Sequence, residues 1–188
     1  MIYSWKKIVK NSMPLLTLTV FVEIIAGQIL LFNQNILVLF PLFLVSFPVI
    51  NGVGGNIGSV LGARLASGLH VGSVKISVKD SEMRDSFITS IVLGVVSYFI
   101  LGLIIYYFVY YFMDIGINIS LLSFVLVVLL SGVLLVCLLC FVSVATAFLS
   151  FKRGMDPDDV VAPVVTTVGD VMGIILLFII LGIFGVVV

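Results

Sequence analysis

Five apolar stretches, each long enough to cross a bilayer, leave this chain almost no other way to fold. A hydrocarbon core about 30 Å thick takes roughly 20 helical residues, and the sequence supplies such runs at approximately 13–31, 36–62, 87–112, 119–148 and 160–188. Water-soluble domains carry about 25% charged residues, whereas here 62% of the residues are hydrophobic and 10% are charged. A chain of 188 residues with that balance has more apolar surface than a soluble core of its size can bury. The expected fold class is all-α integral membrane: five transmembrane helices forming one domain over residues 1–188. The first span lacks a small-residue cleavage site and is long enough to cross, so it is expected to be retained.

The basic residues indicate which way the helices run. All nine Lys and Arg residues fall on alternate connections: Lys6, Lys7 and Lys10 before span one, Arg64, Lys75, Lys79 and Arg84 around the second connection, and Lys152 and Arg153 between spans four and five. The connections around residues 33–35 and around Asp114 hold none. Positive charge gathers on the cytoplasmic side, so the N-terminus is expected inside and the C-terminus outside. A formal net charge of zero gives no footing for nucleic acid.

Several residues that often signal chemistry read here as structural. Cys137 and Cys140 form a C-x-x-C in the middle of an apolar run, away from the electropositive, partly exposed setting that activates a thiol, and are taken as packing residues. His70, between Gly68 and Gly72 in the second connection, reads as a solvated surface histidine. In the stretch 66–85, which has room for a short interfacial helix, Asp80, Glu82 and Asp85 alternate with Lys79 and Arg84, as on a solvated face. Tyr106, Tyr107, Tyr110 and Tyr111 fit an aromatic belt at headgroup depth. Spans three and four read as lipid-facing helices.

Spans two and five differ from the rest. Span two holds Pro48, Asn51, Gly52, Gly54, Gly55, Asn56, Gly58 and Ser59 at membrane depth. Pro48 deprives the Leu44 carbonyl of its usual donor, and the glycines remove side-chain cover from the backbone. Gly54, Gly58 and Gly62 recur every four residues, the spacing of a close helix crossing, while Gly52, Gly55, Asn56 and Ser59 fall on a neighbouring face. One face is expected to pack and the other to line a polar path, because an unpaired amide in hydrocarbon costs several kcal/mol.

Span five opens on Asp156-Pro157-Asp158-Asp159, a helix start with a capping acid, a proline in the first turn and acids against the helix dipole. The same carboxylates can concentrate cations at its mouth. Pro163 frees the Asp159 carbonyl. Asp170 then lies about ten residues, or nearly three turns, inside the span, with Thr166 and Thr167 four and three residues before it and near its face. An acid at the centre of a transmembrane helix costs about 2.5 to 3.5 kcal/mol to insert and marks function by default. Glu23 in span one is the other intramembrane acid, pore-related or structural. No Lys or Arg occurs in residues 11–63, 85–151 or 154–188, so a buried Asp170 must protonate, bind a cation or face water.

At these residues the chain resembles the membrane domain of the MgtE family of magnesium transporters, related to solute carrier family 41. Pro48, Gly52, Gly54, Gly55, Asn56 and Gly58, continued by Arg64 and Gly68, look like the family's span-two signature, and Asp156-Pro157, Pro163, Thr166-Thr167 and Asp170 look like its span-five signature. The chain departs from the pattern at Val60, where a glutamine is common. The resemblance implies a homodimer with a central pore lined by spans two and five of both copies. Metal would be held at Asp170, with Asn56, Gly55, Thr166 and Thr167 along the same path and Asp156 at the inner vestibule. The transported ion would be Mg²⁺ or another divalent cation, with no catalytic cofactor and no enzyme activity. This single-repeat form is expected to lack the cytosolic sensor domains of bacterial relatives and to sit in the cell membrane. Exchange of Mg²⁺ against Na⁺ or H⁺ is the competing transport reading, and a non-transporting membrane subunit the competing class.

Overall fold

A computed structural model describes residues 5–74, 81–113 and 119–185. Lys75, Lys79, Asp80 and Asp114 lie outside the described residues, as do the side chains of Lys6, Lys7 and Lys10. The described chain is all helix: α1 Trp5–Phe32, α2 Gln34–Leu39, α3 Pro41–Val71, α4 Ser81–Phe112, α5 Leu121–Lys152 and α6 Pro157–Ile183. Five of these contain a stretch long and apolar enough to span a membrane, the first from Ser12 to Phe32.

The second span differs from its expected limits at both ends. Phe40 leaves helical geometry at φ −129° and ψ 74°, because Pro41 has no N–H to donate and crowds the residue before it out of the α region. Residues 34–39 therefore form the separate short helix α2. At the other end α3 runs on past Gly62 to Val71 and stops at Gly72, whose φ of +77° is a left-handed position that glycine adopts without strain. His70 is thus a helical residue rather than a loop residue, and Arg64 and Gly68 lie on the same continued helix. The stretch 66–85 is helical over its first six residues and from Ser81 onward.

Helix α5 forms the centre of the subunit. Half of its most apolar stretch is buried, against 6% for α1, and it packs on α3, α4 and α6, while among the described residues α1 touches only α2 and α6. The expectation that spans three and four merely face lipid is therefore corrected. Apolar side chains suit lipid and protein neighbours equally, so hydropathy does not separate the two. The buried Ser131, Gly132, Ser143 and Ser150 mark where α5 meets other helices. In α4, Tyr98 is fully buried; its ring fills the space beside Gly132, where an added Cβ would collide with it. Its hydroxyl donates to the Ile50 carbonyl at 2.7 Å, and Ser143 Oγ donates to the Gly58 carbonyl, also at 2.7 Å. Two interhelical hydrogen bonds thus fix α3 from behind.

The tyrosines near the C-terminal end of α4 divide. Tyr107, Tyr110 and Tyr111 are exposed, with the rings of Tyr107 and Tyr111 stacked at 6.2 Å, as suits a belt. Tyr106 turns inward against Phe124. Cys137 and Cys140 are free thiols, one partly and one fully buried, consistent with packing.

Candidate cation site

Helices α3 and α6 run side by side in opposite directions, and small residues on one meet larger ones on the other along a regular seam. A Cβ on Gly62 would collide with Val161, one on Gly58 would come 2.7 Å from Val165, and one on Gly55 would lie 3.4 Å from the Thr166 methyl. Further along, the pattern inverts: Gly173 of α6 makes room for Asn51 of α3, where a Cβ would strike the amide. Close backbone approach is what lets short polar side chains in the middle of the seam reach across.

There Asn51, only 5% exposed, meets Asp170. Its Nδ2 donates to the Asp170 carbonyl at 3.2 Å and to the carboxylate Oδ1 at 3.3 Å. Both bonds end on the same residue, so the amide fixes the backbone and the side chain of the acid together. Asn51 Oδ1 is buried without a hydrogen-bond partner, facing Gly173. Had the amide been reversed, that oxygen would point at two acceptors; the donor orientation is the one that a carboxylate accepts.

One helical turn away, Thr167 is buried and its hydroxyl lies 3.4 Å from Glu23 Oε1 of α1. That distance exceeds the usual O–H···O limit of about 3.0 Å, so the contact is weak. Glu23 thus comes up to α6 one turn from Asp170, and the nearest basic residue along the chain from Asp170 is Arg153. Four residues from three helices therefore gather at mid-span: Asp170 and Thr167 of α6, Asn51 of α3 and Glu23 of α1.

The other residues singled out in the sequence are distributed as follows. Thr166 is exposed, and its hydroxyl turns back on its own helix, donating to the Ala162 carbonyl at 3.0 Å. Gly55 is buried in the seam against Thr166. Asn56 is exposed, on a stripe with Pro48, Gly52 and Val60 that the described residues leave uncovered; Thr166 and Ala162 are also exposed on α6. Asp156 stands at the far end of α6, 14 residues from Asp170, or about 21 Å along the helix. It caps the helix as expected, its Oδ1 accepting from the Asp158 N–H at 3.2 Å. His70, read from the sequence as simply solvated, is exposed but has Nε2 3.4 Å from that same Oδ1.

Asn51 is the part that sequence reasoning did not assign, while Glu23, left open between a pore-related and a structural place, comes up to Thr167. The signal for Asn51 was present: two asparagines in one apolar span both needed partners, and one of them finds the acid.

A multi-pass helical bundle with an acid at mid-span, held by an amide and distant in sequence from any basic residue, has the makeup of a membrane protein that handles cations. Residues 47–180 match the MgtE family, a divalent cation transporter family, and the chain belongs to it. Comparison with curated proteins and with solved structures gives no match.

Proposed function

We propose that this chain transports Mg²⁺ across the cell membrane as a homodimer, through a path lined by α3 and α6 of both copies, with the N-terminus cytoplasmic. The observation that carries this reading is Asp170: a mid-span carboxylate bound by Asn51, on a helix that packs against α3, whose Pro48, Gly52 and Asn56 the described residues leave uncovered. An amide and helix-breaking residues turned toward acyl chains are costly. Water and a second copy of the same stripe remove that cost.

Paired across a two-fold axis, two Asp170 carboxylates offset the charge of one divalent ion. Mg²⁺ sheds its water reluctantly and prefers octahedral oxygen, so the acids act through retained waters. Asn56 and the backbone near Gly52 supply further oxygens, and Thr166 and Thr167 flank the acid. Asn51 holds Asp170 aimed along the path, which spares the ion the cost of ordering it. Asp156 lies at the inner mouth and draws cations toward it.

Purified protein in liposomes tests the proposal. Asp170→Ala should lower Mg²⁺ flux at least tenfold while the protein remains monodisperse; unchanged flux removes the site. Glu23, beside Thr167, adds a second titratable group, so the same liposomes under an imposed Na⁺ or H⁺ gradient separate a channel from an exchanger.

A further inference from the structure

Where α3 ends and α6 begins, donors from two helices converge at a place the mid-span site does not use. His70 is in the last turn of α3, Asp156 caps α6 and Asp158 is in its first turn. One donor atom from each lies within 4.8 Å of the other two.

The imidazole is oriented rather than loosely hung. Its ring meets Phe151 of α5 edge-on, with centroids 5.7 Å apart and planes at 76°, while Nε2 faces Asp156 Oδ1 at 3.4 Å. As a hydrogen bond this is long, beyond the usual limit of about 3.2 Å. As the edge of a metal shell it is right: two ligands each about 2.0 to 2.1 Å from a tetrahedral zinc stand about 3.3 to 3.4 Å apart. The same carboxylate oxygen has two lone pairs, one used by the Asp158 N–H that it caps and one left to face the histidine. Asp158 is exposed, so its side chain is free to close the remaining gap.

We propose that His70, Asp156 and Asp158 form a second metal site that takes a borderline divalent cation such as Zn²⁺ or Co²⁺. Imidazole nitrogen suits those ions, whereas Mg²⁺ takes an all-oxygen shell, so the histidine separates this site chemically from the carboxylate and amide oxygens at mid-span. An ion here ties the end of α3 to the start of α6, at the same end of the molecule as the Gly62 contact with Val161. The site stands on its own donors and does not depend on the transport reading.

Zn²⁺ titration of the full chain in lipid nanodiscs, in competition with a chromophoric chelator, tests it. The wild type should hold one Zn²⁺ per chain; His70→Ala should weaken that binding at least tenfold and Asp158→Asn severalfold, while Asp170→Asn leaves it unchanged. His70→Cys should restore binding and shift preference toward Cd²⁺, a gain that mere structural damage does not produce. Asp156 is left intact because it also caps α6. Zn²⁺ bound no more tightly by the wild type than by His70→Ala overturns the proposal. So does affinity that falls with Asp170→Asn and not with His70→Ala, since the ion would then belong to mid-span.

Discussion

Two faces of α3 carry the same kind of residue and meet opposite fates. Gly54, Gly58 and Gly62 are buried, pressed respectively against Tyr98 and Leu135, against Val165 and Leu139, and against Val161. Gly52, on the stripe with Pro48 and Asn56, has nothing within 4 Å of where its Cβ would be. A glycine in a membrane helix therefore marks a close crossing only when a neighbour arrives to use the space. Where none arrives within the subunit, it bares backbone beside an exposed amide, and the proposed two-fold path is what gives that surface a use.

The packed face is the less tolerant of the two. Gly62→Leu would drive four carbons into Val161 at a point of the seam where even a Cβ would collide. Overpacking of this kind costs about 1–3 kcal/mol and sometimes more, and with so little clearance the upper end is expected. Thermal unfolding in detergent should show a large loss of stability or no monodisperse protein at all. A Gly62→Leu variant as stable as the wild type would mean that α3 and α6 do not cross as described.

Next in size is Asn51→Ala. It removes both bonds to Asp170, and hydrogen bonds between membrane helices are worth about 0.6 kcal/mol on average and up to about 1.7. Unfolding should therefore shift modestly while Mg²⁺ flux falls severalfold, because the acid loses its aim. Equal losses from Asn51→Ala and Asn56→Ala in stability would erase the distinction between the packed and open faces, since Asn56 is exposed and Asn51 is not.

That pair of asparagines also shows how far the sequence can be read. Both stood out, and both needed partners, but five residues of helix separate them by about 140° around the axis. Which one meets Asp170 depends on how α3 is rotated in the bundle, and that is set by the Tyr98 and Ser143 bonds and the glycine contacts rather than by any local pattern. The five spans, the mid-span acid and the capped start of α6 were legible because length, burial cost and capping chemistry are local. The break at Pro41 was equally local, written in the proline, yet the unbroken apolar run across it masked the signal. The central place of α5 was hidden for a different reason: Leu and Val have no preference between lipid and protein neighbours. Only its small polar residues, Ser131, Ser143 and Ser150, told of contact.

A smaller effect comes from the bond behind the seam. Tyr98→Phe keeps the ring in the groove beside Gly132 and deletes only the donation to the Ile50 carbonyl. A loss of about 0.6 to 1.7 kcal/mol is expected from thermal unfolding, with Mg²⁺ flux close to wild type. Flux that collapses without matching loss of stability would show that α3 is steered from α4, and that the packed face governs the open one.

The smallest change is Gly52→Ala, and it discriminates most finely. Within the subunit the new methyl meets nothing, so only helix propensity acts, favouring alanine by up to about 1 kcal/mol in a helix interior. Stability of the isolated subunit should stay level or rise slightly. In a dimer with a water-filled path along the stripe, one methyl per copy displaces water and no protein atom, so subunit association, followed by single-molecule photobleaching in vesicles, should be unchanged. If the two stripes instead met in direct helix contact, the added methyls would wedge them apart and weaken association, as small-residue crossings predict. Weakened dimers would convert the open face of α3 into a second packed face, and with it the reason for placing the ion path there would fall.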